Sequence, residues 1–265
     1  MQQFSIDALK EMPWWGDFQI AMGDTHHWRI GTLSIWVEGR EGEWRVHHAR
    51  GSEPLDEHAQ HTINDGTPTA AASIDIGVSG RAHDLQVVPL LADRDVVARP
   101  ETTTMVIQQD TTAFFVTTPL FVALRTPEGR TLLELPTYRP SDTWFGDTIE
   151  GELCYASRVA AYTSLTRMTH VAARVATKVS VRNLLPGNLT LERLRIPTPN
   201  LSLYVDDLNN FWTQDITITV GNDEPPHIRI DAGPPSQAVA PRMVCGPRIE
   251  GAGNILVRAF SRLLG

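Results

Sequence analysis

Lysine is nearly absent from this sequence. It occurs only at Lys10 and Lys178, so almost all of the 23 basic residues are arginines. The arginines are spread singly through a chain with a net charge of −8, and they form no stripe of positive charge. Binding to duplex nucleic acid needs such a stripe, so the sequence argues against a nucleic-acid partner.

Cysteine and long apolar runs are also scarce. The two cysteines, Cys154 and Cys245, are too few for a disulfide framework, and 265 residues bury a sizeable core without one. No apolar run of signal-peptide length follows Met1, and the longest apolar stretches, such as residues 116–124, fall short of the roughly 20 residues that span a bilayer. We therefore expect free thiols, a cytoplasmic location and no transmembrane segment.

Alternating polarity dominates the chain. Short runs rich in Val, Thr, Ile and aromatic residues are separated by turn residues about every 8 to 12 positions. This pattern predicts an all-β protein, an antiparallel β-sandwich made of one large sheet or two closely packed sheets. The clearest hairpin is predicted between residues 175–181 and 189–196, joined by a turn at 183–188.

Composition suggests three regions. Residues 1–100 are expected to form a tryptophan-rich β subdomain, in which residues 49–80 are interpreted as a long polar loop. Residues 101–235 are expected to form the β-sandwich domain, and residues 236–265 a proline-rich spacer followed by a short amphipathic helix.

The predicted C-terminal helix begins with Asn254 as its cap, and its apolar residues recur at helical spacing against Arg258 and Arg262. We expect this helix to cover an open sheet edge. The alternative is that its apolar face makes peripheral contact with a membrane protein or another partner.

Three tryptophans, Trp28, Trp36 and Trp44, are expected to share one face of the first sheet. Core packing explains such a cluster, because amphipathic rings dominate small β cores. A platform on which sugars stack is the alternative.

Residues 140–156 stand out from the rest of the chain. They contain three aromatic residues, two glycines, four carboxylates and one of the two cysteines. We interpret this segment as a shaped connection followed by a core strand at 151–163. The candidate surface for a ligand or partner consists of Asp142, Trp144, Phe145, Asp147, Glu150 and Glu152.

These carboxylates allow two interpretations. Glycosidases place two carboxyl groups about 5 to 9.5 Å apart across the scissile bond. Carboxylates beside glycine more often accept backbone N–H groups at turns, and Arg139 and Arg158 are available as structural partners. The sequence therefore leaves a hydrolase open beside a binding surface.

Metal binding and nucleophilic catalysis find little support. His58 and His61 have the residue type that divalent metals prefer, and on a helical turn their spacing would bring the two imidazoles together. No further ligand motif accompanies them, so they remain a metal hypothesis and no cofactor is predicted. Cys154 has His170 nearby in sequence, but a cysteine on an apolar strand is usually inert.

The chain resembles an uncharacterised archaeal and bacterial family known as domain of unknown function 432. The segments that carry the resemblance are 140–146, 151–156, Trp15 with Gly16, 31–37 with Trp44, and 201–212. The family has no established activity, cofactor or catalytic residues. The resemblance therefore implies a β-rich cytoplasmic protein whose central motif is a family signature.

We interpret the protein as a non-catalytic β-sandwich module that binds a protein partner or a small ligand through the loops around residues 142–152. One alternative is a carbohydrate-active or metal-dependent hydrolase that uses the mid-chain carboxylates. Another is a self-assembling structural subunit, because exposed sheet edges can pair with a second copy.

Overall fold

The computed structural model describes residues 13–51, 59–64, 72–77, 84–100, 103–146, 149, 151–159, 161–222, 226–251 and 254–256. Regular structure in these residues is almost entirely β, which confirms the all-β prediction. The helical segments described are two single 3-10 turns, Leu165–Arg167 and Thr198–Asn200.

The strands are numbered in chain order. The first eight are β1 Gly16–Gln19, β2 Thr25–Ile30, β3 Leu33–Arg40, β4 Glu43–Arg50, β5 Gln60–Ile63, β6 Ala72–Gly77, β7 Asp84–Leu90 and β8 Val96–Pro100. The next nine are β9 Thr104–Val106, β10 Thr111–Pro119, β11 Phe121–Arg125, β12 Thr131–Pro136, β13 Ser141–Phe145, β14 Glu152–Val159, β15 Arg174–Asn183, β16 Leu189–Leu191 and β17 Leu194–Ile196. The last six are β18 Leu203–Val205, β19 Phe211–Thr213, β20 Ile216–Val220, β21 His227–Ile230, β22 Arg242–Cys245 and β23 Asn254–Leu256.

Hydrogen bonds arrange these strands in five sheets. Their orders are β5-β2-β3-β4-β6, β1-β7-β11-β12, β13-β14-β8-β17, β16-β9, and β22-β18-β19-β15-β20-β21-β23 with β10 also paired to β15. Most pairs are antiparallel, but β14 runs parallel to β8, and β15 runs parallel to β19 and β20. Two of the sheets are therefore mixed, which departs from the purely antiparallel prediction.

The segment expected as a polar loop at 49–80 contains strands at both edges of the N-terminal sheet. Strand β4 continues to Arg50, β5 pairs with β2, and β6 pairs with β4. Strand β5, with the sequence Gln-His-Thr-Ile, shows no apolar alternation, as is common at an exposed sheet edge. Strand β6, with the sequence Ala-Ser-Ile-Asp-Ile-Gly, does alternate, but it is short and lies in a stretch of polar and small residues, whose composition indicated a loop.

The hairpin predicted between residues 175–181 and 189–196 does not form. Strand β15 pairs with β10 on one edge and with β19 and β20 on the other, while β16 pairs with β9. The side chain of Asn183 redirects the chain, because its Nδ2 donates to the carbonyl oxygens of Val106, Ile107 and Gly187 at 3.1, 3.2 and 2.9 Å.

The predicted C-terminal helix does not begin at Asn254. Asn254–Leu256 is strand β23, which pairs antiparallel with β21. The backbone groups at the edge of β21 need hydrogen-bonding partners, and an added strand supplies them directly. Residues 257–265 lie outside the described residues.

The three tryptophans of the N-terminal sheet do not share a face. Trp28 and Trp44 are buried in the main core, which contains side chains from all five sheets. Trp36 lies on the opposite face, directly across from His27, and the two rings stack at 4.4 Å. Because all three rings are buried, they serve packing and present no sugar platform.

A buried threonine, Thr137, joins three parts of the chain. Its hydroxyl lies 2.8 Å from the carbonyl oxygen of Leu120 and 3.0 Å from that of Ala173, and shares its single proton between them. Its own carbonyl accepts hydrogen bonds from the backbone and hydroxyl of Thr32, in the turn between β2 and β3. These bonds fix the residues next to Thr137 and Ala173, namely Tyr138 and Arg174.

Replacing Thr137 with valine tests this junction. Valine keeps the shape of the side chain but leaves two buried carbonyl oxygens without the hydroxyl, so we expect Thr137→Val to lower the free energy of unfolding by about 1–2 kcal/mol in urea denaturation. The control Thr169→Val, at an exposed position, should change it by less than about 0.5 kcal/mol. Equal losses in the two variants would contradict the proposed role of the hydroxyl.

Candidate ligand-binding pocket

Within residues 140–156, the strands β13 and β14 form the two arms of a β-hairpin. Strands β13 and β14 pair antiparallel, with Asp142 opposite Tyr155 and Phe145 opposite Glu152. Side chains alternate between the two faces of a strand, so Asp142 and Glu152 lie on opposite faces of the hairpin. The predicted core strand is present as β14, and the segment expected as a connection contains β13.

One face of the hairpin carries Asp142 and Trp144, both exposed. Asp142 Oδ1 accepts a hydrogen bond from Arg94 Nη1 at 3.3 Å, and the Arg94 guanidinium lies 5.2 Å from the centre of the Tyr155 ring. The Tyr155 hydroxyl donates to Asp93 Oδ1 at 2.9 Å. Burial, followed by this bond to Asp93, raises the pKa of Tyr155 to about 12.

The other face of the hairpin is held by Arg195. Its Nη2 donates to Glu152 Oε2 at 2.5 Å, and its Nε donates to Asp95 Oδ2. The guanidinium lies 5.9 Å from the centre of the buried Phe145 ring. Burial raises the pKa of Asp95 in spite of this pairing, and it raises the pKa of Cys154 to about 11. Cys154 is therefore a protonated thiol at neutral pH and not a nucleophile.

The two described carboxylates of the candidate surface do not form an acid–base pair. Asp142 binds Arg94 and Glu152 binds Arg195, on opposite faces. Arg139, one of the two arginines available as structural partners for this group, makes no ion pair with any described residue. Asp147 and Glu150 lie outside the described residues.

The metal hypothesis for His58 and His61 also changes. His58 lies outside the described residues, and His61 lies in the extended strand β5, so it is not part of a helical turn. Its Nε2 is 3.1 Å from Nδ1 of His26, and its ring lies 4.7 Å from that of Trp28. Burial, followed by the charges of His26 and His27, lowers the pKa of His61 to about 4. The described residues contain no group of three ligands that could hold a metal ion.

A pocket opens at the root of the hairpin, where β14 approaches the start of β15. Its volume is about 180 Å³, much more than the ~10–15 Å³ that a single water molecule needs. The wall includes aromatic, hydroxyl and guanidinium side chains, among them Phe121, Tyr138, Arg139, Tyr155, Ser157 and Arg174.

Arg174, which is half-buried, supplies a positive charge to the pocket. Its Nε donates to Thr117 Oγ1 at 2.9 Å, and its Nη2 donates to Thr117 O at 2.8 Å and to Ser157 Oγ at 3.2 Å. The guanidinium lies 5.6 Å from the centre of the Tyr138 ring. Burial lowers the pKa of Arg174, although an arginine in a protein remains charged. Among the described residues, no carboxylate pairs with Arg174 and Nη1 has no hydrogen-bond partner.

Two further arginines extend the positive charge. Arg139 lines the pocket, and Arg50 donates from Nη2 to the carbonyl oxygen of Pro136 at 2.9 Å. Burial, followed by the charge of Arg139, lowers the pKa of Arg50. Neither arginine forms an ion pair with any described residue. The pocket therefore lies in a region of excess positive charge.

Sequence reasoning predicted the core strand β14 but missed β13 and most of the pocket wall. Tyr138, Ser157 and Arg174 converge from separate parts of the chain, and only a folded structure brings them together. The available sign was the position of Arg174 at the start of a strand whose next residues, Val175 and Ala176, are buried, where a charged side chain needs a specific partner.

The fold and this pocket define an all-β protein with a small concave site at the root of a hairpin. The chain belongs to the family described as "Protein of unknown function (DUF432)", whose model matches residues 14–264, and this confirms the resemblance noted above. Neither a curated protein nor a solved structure matches the chain. In the part of the chain that the structure describes, no helix has the length and apolar character needed to cross a membrane.

The Arg195 network generates the first prediction for this region. Arg195→Met leaves Asp95, whose side chain is 11% exposed, without its cation, so we expect the free energy of unfolding to fall by about 3–5 kcal/mol. Glu152→Gln should cost about 1 kcal/mol or less, because the Glu152 side chain is 57% exposed. Denaturant unfolding measures both changes. Arg193→Met is the control, and a loss as large as that of Arg195→Met would contradict the assignment.

The pH dependence of stability generates the second prediction. The pKa of His61 in the folded protein, about 4, lies below the ~6.5 of an unfolded chain, so the unfolded state takes up a proton first as the pH falls. The contribution of His61 is therefore complete above about pH 6.5 and is lost progressively towards pH 4. We expect this loss to be about 1–3 kcal/mol.

Denaturant unfolding between pH 4 and pH 7 checks the prediction. His61→Phe should make stability less dependent on pH in this range. The control His227→Asn replaces a histidine in β21, outside the group formed by His26, His61 and Trp28, and should keep the wild-type slope of stability against pH. An unchanged slope in His61→Phe would rule out His61 as the source.

Proposed function

We propose that this protein is a non-catalytic β-sandwich module that binds a small ligand in the pocket at the root of the β13–β14 hairpin. The observation that carries the proposal is the chemistry of the pocket wall. Its described residues include aromatic rings and arginines but no carboxylate, imidazole, thiol or lysine. The hydroxyls of Ser157 and the two tyrosines would need an adjacent general base to act as nucleophiles, and the described wall contains none, so it favours binding over bond cleavage.

The shape of the wall also supports binding. Small-molecule sites are concave and mostly apolar, with a few polar groups that fix orientation. Here the rings of Phe121 and Tyr155 lie 6.0 Å apart, while Ser157 and Arg174 provide polar groups. The bonds from Arg174 to Thr117 and Ser157 hold the guanidinium in place without a ligand, so little ordering is needed on binding.

The hydrolase alternative has less support. A pair of catalytic carboxylates must face one substrate, whereas Asp142 and Glu152 lie on opposite faces of the hairpin and bind different arginines. Both cysteines are free thiols, which supports the cytoplasmic location that we propose for the module.

A bulky side chain in the pocket tests the proposal. Ser157 is buried, and its hydroxyl lies in the pocket wall 3.2 Å from Arg174 Nη2, so Ser157→Leu should fill part of the pocket and weaken ligand binding by about tenfold or more. Ligand-observed NMR with a library of small fragments, followed by calorimetric titration of the hits, measures the effect. Leu153→Ala is the control on the same strand, since Leu153 is exposed, and it should retain wild-type affinity.

Two outcomes would overturn this function. One is equal binding of every fragment to wild type and to Ser157→Leu. The other is turnover in a broad hydrolase screen that is lost in Asp142→Asn or Glu152→Gln. Light scattering on the same samples reports self-assembly, for which the exposed Trp144 and Leu153 on the β13–β14 hairpin are available.

A further inference from the structure

Arginines gather around the pocket of a protein whose overall charge is −8. Arg139 and Arg174 line it, and Arg50 lies close enough to Arg139 for their charges to interact. Within the described part of the chain, none of these three has a carboxylate partner. Like charges that are brought together without counter-charges repel each other, so this arrangement costs stability unless something else offsets it.

The hydrogen bonds of Arg174 indicate where a counter-charge would bind. A guanidinium has five N–H donors, and the described acceptors of Arg174 are the neutral oxygens of Thr117 and Ser157, which engage Nε and Nη2. The Nη1 donors remain. Carboxylate and phosphate oxygens match guanidinium geometry and form shorter, stronger bonds than neutral acceptors do.

The two ends of the pocket differ in charge. Asp93 accepts the Tyr155 hydroxyl bond, and Asp142 lies nearby with its charge offset by Arg94. An anionic group is therefore disfavoured beside Tyr155 and favoured beside Arg139 and Arg174. The rings of Phe121, Tyr138 and Tyr155 provide apolar surface for an uncharged body.

We infer that the pocket binds a small organic anion, whose carboxylate or phosphate group contacts Arg174 and Arg139 and whose apolar body packs against the aromatic wall. This inference rests on the proposed binding function and adds the chemical class of the ligand. Arg174 is the central contact, because it is half-buried, its guanidinium is oriented by hydrogen bonds, and it has no carboxylate partner among the described residues.

Matched pairs of acids and neutral analogues test the inference with the full chain. Benzoate is compared with benzamide, phenyl phosphate with phenol, and inorganic phosphate is titrated alone. We expect at least one of the two organic anions to bind at least tenfold more tightly than its neutral analogue and than inorganic phosphate, by calorimetry or ligand-observed NMR. Arg174→Gln should weaken anion binding at least tenfold.

Two further variants keep the test decisive. Arg139→Gln removes an exposed pocket charge without disturbing buried bonds and should weaken the same anions severalfold. Arg182→Gln is the matched control, because Arg182 is exposed on the same strand as Arg174 and lies outside the pocket wall. It should retain wild-type affinity.

The outcomes separate this inference from the proposed function. If acids and neutral analogues bind equally and Ser157→Leu weakens both, the pocket binds ligands but the anion inference is wrong. If inorganic phosphate binds as tightly as phenyl phosphate, the inference that the ligand has an apolar organic body is wrong. If neither the probes nor the fragment library bind the wild-type pocket, both the inference and the proposed function are overturned.

Discussion

The hydroxyl of Thr137 is the constraint on which the pocket depends. It donates its one proton to two carbonyl oxygens. One belongs to Leu120, in the link between β10 and β11, and the other belongs to Ala173, just before β15. The turn between β2 and β3 packs against the same place, and a Cβ on Gly31 would lie 3.0 Å from both the Ala173 side chain and the Tyr138 ring. Only glycine permits this approach, and its φ of +60° is also one that glycine adopts readily.

Two arginines that lie between strands, Arg195 and Arg174, differ in the groups that balance their charge. Arg195 is 7% exposed and binds both Asp95 and Glu152, as expected for a cation that is buried when the chain folds. Arg174 also lies between strands, but its described partners are neutral oxygens and an aromatic ring. Because removal of a charge from water is costly, the difference needs an explanation, and a pocket beside Arg174 provides one.

Local sequence patterns predicted strands well and their partners poorly. Alternation identified internal strands because one of their faces is buried, but β5 does not alternate, and the short alternation of β6 is hidden among polar and small residues, so both edge strands were missed. Pairing is a long-range property: β16 follows β15 closely in sequence but pairs with β9, about eighty residues earlier. The apolar spacing after Asn254 fits a helix, but the edge of β21 with which this segment pairs favours a strand. The local sequence does not show that this edge is vacant.

The same distinction explains the candidate site. The density of unusual residues at 140–156 marked a segment that borders the pocket and predicted the core strand β14, but it did not reveal that β13 is also a strand. It did not reveal how the carboxylates are arranged either, since Asp142 lies on one face of the hairpin and Glu152, opposite Phe145, lies on the other. The pocket wall takes Phe121, Tyr138 and Arg174 from strands and turns that are distant in sequence. Their chemistry becomes visible only when the Thr137 junction brings them together. What points to an anion is therefore no motif, but the absence of a carboxylate partner for Arg174 among the described residues.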